Sequence, residues 1–264
     1  LNQSRKIGYE SPLFIGGIAV ALLTITAFLF RERRAKDPLL ELGIFRNKNF
    51  SLALLASLVA MGLLAGNSVL MPFYLTYIMH INIELAGFIL MINPVIFIVL
   101  SMVIGPISDK VSRTRLTTVG MFIGMIGCLA FIFLIPKENL FIVASYCVIQ
   151  GLAYAFFITP NNNLVMSLAP EGEQSVSSSL FRLSTNLGQI FGILLMESMF
   201  TIALPASVHA NSGLMKSLPH DILTSGFQYA YIGGAIMCLL GLGLSYFVKD
   251  NGGTATSEET MIVG

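Results

Sequence analysis

The sequence predicts an all-α, polytopic membrane protein with seven transmembrane helices. Two observations lead there. Only 11% of its 264 residues are charged, 55% are hydrophobic, and the mean hydropathy is +0.80. A soluble domain carries about 25% charged residues, so this chain lacks the polar side chains to cover a globule in water. The apolar residues also gather in seven runs, each near or above the ~20 residues needed to cross a bilayer. The formal net charge of +1 says little about partners, and nothing suggests nucleic acid.

The runs are 11–30, 50–78, 85–107, 116–135, 140–159, 175–203 and 227–248. The long second and sixth runs must tilt, kink or protrude. Bends are expected at Pro72 and Pro94, which each remove a backbone donor inside a run. Residues 31–49 form a basic, amphipathic linker in which Leu39, Leu42, Ile44 and Phe45 alternate with charge. It reads either as a segment lying on the inner membrane surface or as a solvated tether. Residues 205–225 make the longest outer loop, and His209 and His220 in it read as ordinary loop residues without zinc spacing. Residues 249–264, rich in Gly, Thr, Ser and Glu, read as a disordered tail. Cys128, Cys147 and Cys238 lie in apolar runs and read as small buried hydrophobes. The start at Leu1 and the want of a signal-peptide pattern suggest a piece of a longer protein.

Orientation follows from Lys and Arg. Arg31, Arg33, Arg34, Lys36, Arg46 and Lys48 follow the first run, and Lys110, Arg113 and Arg115 follow the third. Two crossings separate these groups, so they share a side. The positive-inside rule makes that side, and the C-terminus, cytoplasmic in a cell membrane.

The sixth run is costly. It carries Arg182, Asn186, Gln189 and Glu197. At ~100° per residue from Arg182, Asn186 falls near ~40°, Gln189 near ~−20° and Glu197 near ~60°. These polar groups share one stripe, while Gly188 and Gly192 lie on the far side as a close-packing seam would. Arg182 either lines a path or snorkels to the inner interface. Glu197 sits ~22 Å further along the helix, where low dielectric disfavours a charged carboxyl. It reads as a proton- or substrate-linked group, or as a solvated Glu at an outer vestibule. Elsewhere Asn67, Asn93 and Gln150 lie within runs, whereas the fourth and seventh runs are lipid-like. Such alternation suits cavity-lining helices backed by supporting ones. Asn67 and Asn93 have the simpler alternative of bonding a neighbouring helix.

Between the third and fourth runs stand Gly105, Asp109, Lys110, Arg113 and Arg115. This resembles the Gly-x-x-x-Asp-Arg/Lys-x-Gly-Arg/Lys loop of the major facilitator superfamily, with Ser112 where Gly is usual. The stretches Asp37-Pro38-Leu39-Leu40, Leu70-Met71-Pro72-Phe73-Tyr74-Leu75 and Ala86-Gly87 with Asn93-Pro94 are similar to the 14-helix drug:proton antiporter branch, the EmrB/QacA type. The resemblance implies that the last six runs form that fold's C-terminal bundle, residues 50–248, with 1–30 a central linker helix and its outer lead. It implies a missing N-terminal half as partner. It further implies export of amphipathic drugs or toxic small molecules in exchange for protons by alternating access, with the proton gradient as energy source and no cofactor. Asn67, Asn93, Gln150, Asn186 and Gln189 would line the cavity, and Gly105, Asp109, Lys110 and Arg113 would form the gating loop. A specific metabolite or siderophore transporter, or a truncated non-transporting membrane partner, remain as alternatives. No nucleophile–base pair, metal cluster or phosphate loop points to an enzyme.

Overall fold

In the computed structural model, residues 42–170, 172–205 and 218–249 are described, with helical positions 20, 23, 24, 26, 27, 30 and 31. Most of the first run, linker residues 32–41, the loop centre 206–217 and residues 250–264 lie outside the described residues. A short 3-10 helix, Leu42–Arg46, leads into α1, Lys48–Phe73, which continues as a π-turn over Tyr74–Ile78. There follow α2 (Ile83–Leu90), α3 (Ile92–Lys110), α4 (Arg113–Leu134), α5 (Leu140–Ser167), α6 (Gln174–Ile202) and α7 (His220–Phe247). No strand occurs among the described residues.

The expected count of seven spans is not tested in full, because most of the first run lies outside the described residues. Among the described residues five helical segments are long and apolar enough to cross a membrane, with α2 and α3 together making one. α6, at 29 residues, has the length but is too polar to join that set. Its packing nevertheless carries it through the same thickness. Ser184 Oγ donates to the Leu54 carbonyl at 2.7 Å, and Gly188 faces Leu58, Gly192 faces Gly62, and Met196 faces Gly66. The register advances by four on both helices, so α6 runs parallel to α1. α5 is likewise parallel to α3, with Gly151 against Asn93, Thr159 against Gly105, and Asn163 against Ser108. Neighbouring α4 and α5 are antiparallel, Gly120 meeting Phe157 and Gly127 meeting Gln150. Six alternating crossings satisfy all of these pairings.

The seam itself has no side chains to yield. A Cβ on Gly188 would collide with the Leu58 carbonyl, and one on Gly192 with the Gly62 carbonyl. Lipid offers no hydrophobic drive between helices, so this close approach supplies the dispersion contacts that join them.

Several boundaries moved for physical reasons. The third run breaks at Met91, which places Pro94 in the first turn of α3, where its missing N–H costs nothing. Pro72 closes α1, and the following π-turn is braced by Thr76 Oγ1 on the Pro72 carbonyl at 2.9 Å. α5 runs past Pro160 because Asn161 Nδ2 bonds Ser57 Oγ at 2.6 Å and Asn163 Nδ2 bonds Ser108 Oγ at 3.1 Å. α7 begins at His220, seven residues before the expected start, with the His220 ring 2.8 Å from the Glu138 carboxylate. The end of the linker tucks inward: Ile44 is buried with Phe50, Leu54, Leu164 and Val248. All three cysteines are free and buried.

The seam yields a prediction. Gly192→Val forces backbone apart and should destabilise the detergent-solubilised protein by more than about 2 kcal/mol. Gly87→Ala, with open space around it, should leave the melting temperature in place.

Candidate functional site

α6 presents three surfaces. Around its axis from Gly188, the polar residues Gln189, Arg182, Asn186 and Glu197 fall at about 100–180° one way. Phe191, Leu187 and Leu183 fall at about 60–140° the other way. Arg182, Asn186 and Gln189 are exposed, and Glu197 is half-buried. The stripe therefore stands on the outside of the bundle as one face. α7 packs against α6 towards the Phe200 end, where Gly226, Gly233 and Gly234 receive Phe200, Met199 and Met196. On the other flank an open groove of about 270 Å³ runs between α1 and α6, lined chiefly by Leu54, Leu55, Leu58, Leu180, Leu183 and Leu187. A charged and amide stripe and a leucine groove thus share one helix. Together they offer an amphipathic molecule both kinds of surface.

The other expected cavity residues are not on this face. Gln150 is 0% exposed; its Nε2 points to the Gly124 carbonyl at 3.4 Å and to Cys128 Sγ at 3.5 Å. It packs α5 onto α4 inside the bundle. Asn67 is 8% exposed, and its Oδ1 accepts from Tyr146 at 3.1 Å and from Tyr231 at 2.8 Å. One amide oxygen thereby ties α1 to α5 and α7. Asn93 is half-buried at the start of α3, its carbonyl against Gly151. The structure places Arg182, Asn186, Gln189 and Glu197 along one face of α6, and leaves Asn93, Asn67 and Gln150 elsewhere.

The loop motif occupies one end of the bundle. Gly105 lies within α3, and its carbonyl accepts from Ser108 Oγ at 2.7 Å. Asp109 is exposed in the last turn of α3, and Arg113 opens α4 with a guanidinium nitrogen 3.9 Å from the Asp109 carboxylate. Lys110 is exposed beside them. Ser112 has φ −52, so no left-handed backbone demands the usual Gly there. At this same end lie Arg46, Lys48, Arg115 and Lys249, with Asn47 bonding the Leu168 carbonyl at 3.3 Å. The opposite end holds Lys137 as its one Lys or Arg among the described residues.

Sequence reasoning missed the aromatic centre. Phe131 stacks on Tyr146 with ring centroids 4.4 Å apart, and Tyr231 and Tyr74 meet Phe131 edge-on. Tyrosines at membrane depth were the available signal, since a buried phenol needs an acceptor. Among the described residues no cluster of three metal-ligating side chains occurs.

The family profile for the Major Facilitator Superfamily matches residues 4–193. Riboflavin transporter RibZ of Clostridioides difficile (strain 630) is 23% identical over 238 residues, covering 90% of this chain and 50% of that protein. Quinolone resistance protein NorB of Staphylococcus aureus (strain bovine RF122 / ET3-1) is 23% identical over 211 residues, covering 76% and 44%. The uncharacterized MFS-type transporter YcnB of Bacillus subtilis (strain 168) is 24% identical over 247 residues, covering 92% and 50%. The chain spans about half the length of these curated relatives.

The Asp109–Arg113 pair is long and solvent-screened, so Asp109→Asn should change stability by less than about 0.5 kcal/mol. A thermal melt with the full-length protein checks this. An unchanged melting temperature would show that the pair does not hold the fold.

Proposed function

The chain belongs to the Major Facilitator Superfamily, a family of transporters rather than enzymes, and from that premise we propose that it forms one half of a secondary transporter for amphipathic small molecules. The observation that carries this reading is the α6 face. Arg182, Asn186 and Gln189 are exposed on a helix that runs at membrane depth beside α1. Polar groups so placed are costly in lipid and are favoured where they border a water-filled path.

In this proposal residues 50–248 are the C-terminal six-helix bundle, and the companion half of the same polypeptide closes the path against α6. The basic end is cytoplasmic by the positive-inside rule, which puts residue 249 inside. Arg182 then stands near the inner interface and Glu197 towards the outside. Glu197 is the group that takes up and releases the protons exchanged for cargo, and the ion gradient drives the cycle without a cofactor. Asp109, Lys110 and Arg113 hold the inner turn during alternation. Cargo lies across the polar stripe and the leucine groove, its charged or amide part on Asn186 and Gln189.

A narrower cargo is the second reading. The relative named for riboflavin aligns over 90% of this chain, against 76% for the one named for quinolone resistance. Both names point to flat aromatic heterocycles with polar substituents, which suits a surface divided between leucines and amides. Transport of riboflavin set beside a panel of amphipathic dyes separates a specific carrier from a broad exporter.

In everted vesicles bearing the full-length protein, Asn186→Leu combined with Gln189→Leu should raise KM for a transported dye about tenfold. Glu197→Gln should remove the dependence of transport on an imposed pH gradient. Transport that keeps both its KM and its pH response in these variants would sink the reading.

A further inference from the structure

Asn67 has two polar ends, and the structure accounts for only one of them. Its Oδ1 accepts the Tyr146 and Tyr231 hydroxyls at 3.1 and 2.8 Å. The other atoms within reach of those phenols are sulfurs, Cys128 Sγ from Tyr146 and Met71 Sδ from Tyr231, each 3.9 Å away. Sulfur is a weak acceptor. Were the amide turned about, both phenol hydrogens would be left to sulfur in a medium where unsatisfied donors are expensive. The oxygen therefore faces inward, and its two lone pairs are both used.

That fixes where Nδ2 goes. It makes no hydrogen bond among the described residues. Nor is it among the sealed, unpaired polar atoms, which are Thr114 Oγ1, Gln150 Oε1, Tyr154 Oη, Ser177 Oγ and Ser245 Oγ. The 8% of Asn67 that is exposed thus includes part of the amide nitrogen. It emerges beside exposed Ser68, whose own hydroxyl is spent on the Ala65 carbonyl at 2.8 Å. By helical rise it lies ~28 Å from the start of α1, well inside the membrane-crossing length.

We propose that Asn67 is a fixed hydrogen-bond donor of the transport path, held by Tyr146 and Tyr231 so that Nδ2 selects cargo bearing a carbonyl or carboxylate acceptor at that depth. The inference rests on the transporter reading above and adds the chemical class of what is recognised. Two phenols clamp the amide, so it enters the encounter already oriented and loses little rotamer freedom on binding. Cargo without an acceptor gains nothing from the contact.

The experiment uses the full-length protein in vesicles with two probes, riboflavin, which carries ring carbonyls, and ethidium, which has none. Asn67→Leu should raise KM for riboflavin about tenfold and leave ethidium within about twofold. Tyr146→Phe combined with Tyr231→Phe, which frees the amide without removing it, should move riboflavin in the same direction by less. Equal losses for both probes in Asn67→Leu would make Asn67 a packing residue and overturn the inference, as would an unchanged KM for riboflavin. If neither probe is carried, the cargo class of the transporter reading fails on its own. The donor site is then decided by Asn67→Cys. Reaction with a small water-soluble thiol reagent, above the level given by Cys128, Cys147 and Cys238, supports it, and no added reaction overturns it.

Discussion

The glycine seam between α1 and α6 is the constraint on which the rest depends. With Gly188 and Gly192 pressed onto the carbonyls of Leu58 and Gly62, α6 can neither rotate nor slide without a backbone clash. Its rotational setting puts Arg182, Asn186 and Gln189 outside and the leucine groove on the opposite flank. A helix this polar would be a poor independent span. It persists because the parallel seam and the Ser184 bond to Leu54 tie it to a strongly apolar neighbour. The polar stripe and the packing seam therefore occupy different sides of one cylinder, and each is read from a different spacing.

That division explains what the sequence made legible. Helical periodicity is a property of one segment, so the α6 stripe and its seam could be read from the spacing of Arg182, Asn186, Gln189, Gly188 and Gly192. The apolar runs likewise marked the six bundle helices to within a few residues at most ends. Asn67 and Gln150 could not be placed this way. Whether an amide in a span meets a path or a neighbour depends on the mutual rotation of three helices, which no single periodicity carries. Gln150 turned to Gly124 on α4, and Asn67 turned to tyrosines 79 and 164 residues further along the chain. The helix ends at Pro160 and His220 failed for a related reason: Ser57, Ser108 and Glu138 supply tertiary partners that override local chain-breaking signals.

The interior follows the logic of a lipid solvent. Two side chains, Asn161 and Asn163, spend amide hydrogens on serines of other helices, and those serines pass their own hydrogens back to the Ala53 and Gly105 carbonyls. Such chains give the amide donors and the serine hydroxyls partners within the protein, as a lipid solvent favours. They cluster towards the basic end, where α1 and α3 are each tied to α5. Towards the other end the aromatic group around Phe131 takes over, with Tyr74 capping the Ile135 carbonyl at 2.9 Å. Polar bonds and ring packing thus join the same helices at different depths.

The same economy gives the amide of Asn67 its meaning. A bundle built only for stability would place a hydrophobe between Tyr146 and Tyr231 and swap both phenols for Phe, because buried polar groups seldom outperform good apolar packing. The aromatic centre already supplies that packing through Phe131 and Phe227. What the hydrophobe could not supply is a donor at membrane depth with a fixed direction. The α6 stripe lies outside the bundle and depends on whatever closes against it, whereas Asn67 is oriented entirely by this chain's own side chains. A path that runs past both would meet adaptable, exposed amides on one wall and a single pre-oriented amide on the other. On the proposed reading, breadth of cargo would belong to α6 and selectivity to α1.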